Sequence, residues 1–145
     1  MKRFSVMIVD DNKLDRYILR RFLEKTNIVL DIYEAYDGQD ALEQLCNPSK
    51  QTEVNTLTPH FLFLDINMPL VNGFAFLEQY IKTDYAKSAS APAIFMFSSS
   101  ASDIDKQQAF SFDCVCDFIE KGNFSVEFLK DILLKHKTGC VPNLQ

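Results

Sequence analysis

Two aspartates stand side by side at Asp10 and Asp11, directly after the apolar run FSVMIV (Phe4 to Val9), and a third, Asp65, closes the run FLFL (Phe61 to Leu64). Three serines, Ser98 to Ser100, follow AIFMF (Ala93 to Phe97), and Lys121 comes shortly after VCDFI (Val115 to Ile119). Crowded carboxylates repel one another unless a cation sits among them, and an all-oxygen set with few protein ligands suits octahedral Mg²⁺ or Mn²⁺. A hydroxyl and an ammonium complete the set. Taken alone, an aspartate at a strand end can equally well cap the following helix. The whole constellation does not fit that role, because four separate segments would each have to deliver a reactive group to one place.

The elements that could bring those segments together are visible as alternating patterns. The apolar runs are continuous, as in parallel strands covered on both faces, and a further run, IVLDIYEA (Ile28 to Ala35), lies after the first. Between the runs apolar residues recur at helical period: Leu14, Ile18 and Phe22; Leu42 and Leu45 after Asp37; Phe74, Leu77 and Ile81; and Phe128, Leu129, Ile132 and Leu133. Asp37 before Gly38 has the character of an N-cap. Ser102 with Asp105 resembles a capping box and starts a weakly amphipathic helix over Ser102 to Phe112. Five strands alternating with five helices predict a parallel sheet between two helical layers, an α/β class. In such sheets ligands bind outside the carboxyl ends of the strands, which is where the reactive residues fall.

Length and composition set the frame. The 145 residues fit one domain (1–145), with a core over about 4–134 and a tail over 136–145 expected to fray. With 47% hydrophobic and 24% charged residues the chain should fold by itself. The net charge of −5 and the lack of a dense Lys/Arg cluster argue against nucleic acid as a partner. No cleavable leader and no apolar stretch of about 20 residues is apparent, so no membrane partner and a cytoplasmic location are expected. Cys46, Cys114, Cys116 and Cys140 lack zinc-site spacing and are expected as free thiols, with Cys114 and Cys116 facing opposite sides of a strand. The polar connection Asn47 to His60 is expected to be a surface loop.

The segment LDINMPLVNGFAFLE, with Asp65 at a strand end, Asn67, Met68 and Pro69 after it, and Asn72 and Gly73 opening a helix, closely resembles the phosphorylation site of bacterial two-component response-regulator receiver domains. In that family an acidic pair, a phosphorylated Asp, a Ser or Thr, and a Lys recur in this order, and the match here runs from Phe4 to Leu134. The resemblance implies a flavodoxin-like three-layer sandwich, one doubly wound five-stranded sheet of order 2-1-3-4-5 with five helices. It implies that Asp65 takes a phosphoryl group from the phosphohistidine of a sensor histidine kinase or histidine phosphotransfer protein. Asp11 would ligate Mg²⁺ directly (or Mn²⁺), with Asp10 assisting partly through water, Asp65 sharing the ion and the backbone carbonyl of Asn67 adding a ligand. Lys121 would pair with Asp65 and then with the phosphoryl oxygens. The hydroxyl would come from Ser98, which directly follows the apolar run, or from Ser99, favoured by counting back from Lys121.

The same resemblance implies a signalling phosphoacceptor rather than an enzyme acting on other substrates, its chemistry limited to self-catalysed phosphotransfer and autodephosphorylation. It is to stand-alone, chemotaxis-regulator-like members, whose output is contact with a downstream protein target, a weak homodimer being a further expectation. Phe118 occupies the place of an aromatic, near the start of the fifth strand, that switches between outward and inward positions; the alternative is an ordinary core aromatic. One departure is Gly122, where the family carries a proline in cis linkage. A trans Lys121–Gly122 peptide is expected, Gly122 using its wide range of φ to aim Lys121 inward. A haloacid-dehalogenase-like phosphatase would instead place its nucleophile in a DxD at the end of the first strand, and a degenerate receiver would lack acceptor-site residues that are present here.

Overall fold

A computed structural model describes residues 3–46, 58–99 and 102–139. Within them strands and helices alternate strictly: β1 (Phe4–Val9), α1 (Lys13–Lys25), β2 (Val29–Ala35), α2 (Gly38–Cys46), β3 (Phe61–Leu64), α3 (Gly73–Tyr80), β4 (Ala93–Ser98), α4 (Asp103–Phe110), β5 (Val115–Glu120) and α5 (Val126–Lys135), with a short 3₁₀ turn at Tyr85–Lys87. All strand pairs are parallel and the sheet order is β2-β1-β3-β4-β5, as the resemblance implies. The caps expected from sequence form. Asp40 N–H donates to Asp37 Oδ1 at 2.8 Å, and Asp105 N–H donates to Ser102 Oγ at 3.1 Å.

Because successive strand residues point to opposite faces, each apolar run feeds two cores. Met7, Val9, Leu62, Leu64, Ile94 and Met96 pack beneath α2, α3 and α4. Phe4, Val6, Ile8, Phe61, Phe63, Phe95 and Phe97 pack beneath α1 and α5. The second layer is aromatic: Phe95 stacks on Phe61 at 5.7 Å and meets Phe63 edge-on at 5.3 Å. The three interior strands, β1, β3 and β4, are thereby covered on both sides, and polar groups at their carboxyl ends are drawn out of water with them.

Several sequence expectations are corrected here. On α1 the buried row is Arg16, Leu19 and Leu23, whereas Leu14 is 64% exposed and Ile18 38% exposed. The apolar arc of this helix is wide, and its Leu14/Ile18 edge overhangs the sheet while Phe22 at its rim meets Phe124 at 4.8 Å. Ile81 and Phe128 likewise lie exposed at the edges of their stripes. The tail does not fray at its start: His136 is buried, its ring 5.5 Å from that of Phe95. Residues 140–145 and most of the Asn47–His60 connection (47–57) lie outside the described residues. Cys46 and Cys114 are free, but Cys116 is disulfide-bonded. Cys114 and Cys116 do face opposite cores, but not through strand alternation, which puts residues two apart on one face: Cys114 precedes β5, whose pairing with β4 is irregular at its start.

Close approach requires glycine at Gly38, where a Cβ would lie 2.7 Å from the Val71 carbonyl oxygen, and at Gly73 beside the site. A Cβ on Gly73 would collide with the Asp65 carbonyl oxygen and sit 3.0 Å from Ile66 Cα, backbone atoms that cannot turn aside. Gly73 N–H donates to Ile66 O at 2.9 Å, so α3 starts hard against the end of β3. Gly73→Ala should therefore destabilise the fold by about 2–3 kcal/mol, as forced overpacking does. Urea unfolding checks this, with Gly122→Ala as the comparison expected to change stability little, since a Cβ there meets nothing within 4 Å.

Candidate functional site

The sheet order reverses direction at β1, so the crevice outside the carboxyl ends of β1 and β3 is the topological switch point. The register pairs Val9 with Leu64, and Asp65 N–H continues the ladder to Val9 O at 2.9 Å. Asp10 and Asp65 thus emerge side by side, both buried (1% and 4% exposed), with the exposed Asp11 after them. One carboxylate oxygen from each of Asp10, Asp11 and Asp65 lies within 4.8 Å of the others.

Lys121 arrives from the far side of the sheet. Its N–H donates to Ser98 O at 2.9 Å, and its ammonium Nζ stands 2.7 Å from Asp10 Oδ2, 2.8 Å from Asp15 Oδ2 and 3.4 Å from Asp65 Oδ2. Asp10 Oδ2 is buried, with the Lys121 ammonium directly against it. The Lys121–Gly122 peptide is trans, as expected. Gly122 does not use a positive φ, however, and the lysine is aimed instead by the Ser98 bond and by a turn in which Asn123 N–H donates to Glu120 O at 3.1 Å.

Burial pushes the Asp65 carboxyl up to about 6, and the neighbouring charge of Asp10 pushes the same way. Lys121 and the Asn67 backbone N–H act in the opposite sense without cancelling them. Burial works against the Lys121 ammonium too, yet its contacts with Asp10 and Asp15 and the charge of Asp65 raise it above the ordinary lysine value. It therefore stays charged. Among the described residues, the three crowded carboxylates face the single ammonium of Lys121, which leaves the site short of positive charge. Three hard oxygens within reach of one ion fit a small divalent cation.

Ser98 is buried at the end of β4, inside the strand rather than after it, and Ser99 is exposed. Phe118 is the fourth residue of β5, half-buried against the core, with Lys106 Nζ 5.8 Å above its ring. Two residues of the site were not found from sequence. Arg16, 8% exposed, donates to the Asp10 carbonyl at 2.7 Å and to Glu34 Oε1 at 3.2 Å, and so holds the β1–α1 turn in place. Its signal was available: an arginine in the same helical row as Leu19 and Leu23 has to point inward. Asp15, which shares Lys121, carried no comparable signal, since an acidic residue in the first turn of a helix is ordinary.

The family model described as "Response regulator receiver domain" matches residues 6–133. A protein-glutamate methylesterase/protein-glutamine glutaminase of Clostridium acetobutylicum is 29% identical over 93% of this chain, which spans 36% of that protein's length. A sensor histidine kinase, CheAY, of Helicobacter pylori is 33% identical over 63% of this chain and 10% of its own. The chain thus spans about a third or less of these relatives. A two-component response regulator from Cytophaga hutchinsonii shares the fold, with a TM-score of 0.77 at 22% identity over 93% of this chain and 97% of that one.

Raising the Asp65 pKa from its ordinary 3.8 to about 6 means that the folded state binds a proton more tightly than the unfolded chain does. Between those values stability must fall as pH rises, and above about 6 the ionised carboxylate is a standing cost. With metal removed by a chelator, Asp65→Asn should be more stable than the parent at pH 7.5 by about 1–3 kcal/mol. The gap should close as pH is lowered to 4. Denaturant titrations at the two pH values, together with ¹³C-carboxyl NMR of Asp65, check both the sign and the window.

Proposed function

The chain belongs to the response regulator receiver domain family, and from that premise we propose that it accepts a phosphoryl group on Asp65 from the phosphohistidine of a sensor histidine kinase or histidine phosphotransfer protein. The observation that supports this most directly is the convergence, in the β1/β3 crevice, of Asp10, Asp11 and Asp65 around one site with Lys121 reaching Asp65 from β5. An ionised Asp65 oxygen attacks phosphorus as the phosphorus–nitrogen bond breaks, and the imidazole leaves with its electron pair and takes up a proton. The product is an acyl phosphate.

Asp10, Asp11, Asp65 and the Asn67 carbonyl would hold Mg²⁺, or Mn²⁺, which when bound supplies neutralising charge for the incoming phosphoryl oxygens. The protein's own groups do the remaining work. Lys121 moves from its carboxylates to a phosphoryl oxygen, and the hydroxyl of Ser98, or of Ser99, donates to another. Asn67 N–H and the Gly73 junction keep Asp65 oriented while that happens. Positioning and charge neutralisation carry most of the barrier reduction in such transfers.

The signal is then read as protein–protein contact on the α4–β5–α5 face, with Phe118 passing between its half-buried place and the core. A cytoplasmic protein acting on a downstream protein target, with neither nucleic acid nor membrane as partner and with a weak homodimer, belongs to the same proposal. Among the described residues no helix is long and apolar enough to cross a membrane.

Asp11→Ala should lose Mg²⁺ binding, and its phosphorylation by acetyl phosphate should drop at least about 100-fold. Asp65→Asn should accept nothing. Acid-stable trapping and intact-mass spectrometry provide the measurement, and an Asp11→Ala protein labelled as fast as the parent would sink the assignment. For the switch, ¹H–¹⁵N shifts on adding beryllofluoride should extend from Asp65 to α4, β5 and α5 in the parent and be curtailed beyond the site in Phe118→Ala. Shifts confined to the neighbourhood of Asp65 in the parent would remove the aromatic switch and leave the phosphoacceptor role standing.

A further inference from the structure

Lys121 donates a hydrogen bond to a carboxylate outside the acidic trio, that of Asp15, at 2.8 Å. Asp15 is the third residue of α1 after the N-cap Asn12, a position from which an acidic side chain ordinarily turns back to the N-cap amide. Here that amide is already taken, because Asn12 N–H donates to Asp10 Oδ1 at 2.9 Å. Asn12 Oδ1 in turn accepts Asp15 N–H at 3.0 Å, which fixes the first turn of the helix. With its usual local partner occupied, the Asp15 carboxylate reaches across the crevice to a lysine on another element. The pair is partly withdrawn from water, Lys121 being 12% and Asp15 32% exposed in their side chains.

An ammonium has three N–H donors. Of the three carboxylates around Lys121, Asp10 and Asp15 are nearer than the proposed acceptor Asp65, which is the most distant at 3.4 Å. A phosphoryl group on Asp65 brings strong acceptor oxygens into the same crevice, and Asp10 then has a cation to face. Among the described residues, the contact of the Asp15 carboxylate in the crevice is with Lys121. We propose that Asp15 is a positioning residue that clasps Lys121 in the resting state and competes with the phosphoryl group for it, so that the phosphorylated state forms only as the Lys121–Asp15 contact is given up. The proposal rests on Asp65 being the phosphoacceptor. By reciprocity, whatever Asp15 takes from phosphoryl affinity the phosphoryl group takes from the clasp. That links occupancy of the site to the N-terminal part of α1, which carries the exposed Leu14 and Tyr17.

Beryllofluoride, titrated in saturating Mg²⁺ and followed by NMR, provides the probe. Asp15→Asn should bind it about three- to tenfold more tightly than the parent, the range expected when one partly screened competitor is removed. Asp15→Glu should stay near the parent value. The gain should vanish in a Lys121→Gln background, because the effect runs through the lysine. An equal gain with and without Lys121 would mean that Asp15 acts only as a nearby negative charge, and would overturn the clasp. So would equal or weaker binding by Asp15→Asn while the parent binds normally. If Lys121→Gln binds too weakly to titrate, ¹⁵N-lysine NMR of the ligand-free proteins decides: the Lys121 Nζ signal should shift and broaden in Asp15→Asn, and an unchanged signal would refute the clasp. A parent protein that takes up no beryllofluoride would remove the phosphoacceptor role itself, and the clasp's competitor with it.

Discussion

Two buried carboxylates, Asp10 and Asp65, share a single ammonium, and most of the architecture around the crevice serves to hold that arrangement. In water the aspartates would be solvated and indifferent to one another. Placed at the ends of adjacent inner strands they lose their hydration, and their repulsion is offset by Lys121, with backbone N–H groups of Asn12 and Asn67 helping. The outcome is a buried, negatively charged site with a deficit of positive charge, the feature on which the proposed phosphoryl transfer rests.

Holding charges close demands a backbone that does not yield. Gly73 lets α3 begin against the Asp65 carbonyl, Arg16 holds the Asp10 carbonyl from within the apolar row of α1, and the Ser98–Lys121 bond ties the end of β4 to the lysine. Beneath them lie two cores of different character, one largely aliphatic and one rich in phenylalanine. A rigid floor of this kind allows a displacement of a few tenths of an ångström at the strand ends to matter, because packed interiors do not absorb it.

The residues that sequence reasoning missed share a feature: each works through a partner distant in the chain. Arg16 looks like a misplaced charge until the Asp10 carbonyl and Glu34 are brought to it. Asp15 looks like a helix-start aspartate until Lys121 arrives from the other end of the molecule. His136 looks like part of a polar tail until Phe95 packs beside it. The exposed edge of α1 is a related case, since Leu14, Ile18 and Phe22 form as good a helical stripe as the residues that are buried. Only the placement of the sheet chooses between them.

What the sequence by itself determined was the alternation of strands and helices, their caps, the parallel sheet and the gathering of Asp10, Asp11, Asp65 and Lys121 at one edge. These are local or additive properties: period, capping chemistry and the rule that loops at the carboxyl ends of parallel strands share a face. The tertiary structure alone decided which arc of α1 is buried, that Gly122 stays out of the left-handed region, that Ser98 is buried and Ser99 exposed, and that Asp15 lies against the lysine. Distances between side chains on different elements set those outcomes, and a difference of an ångström between ion pairs is invisible in a one-dimensional pattern.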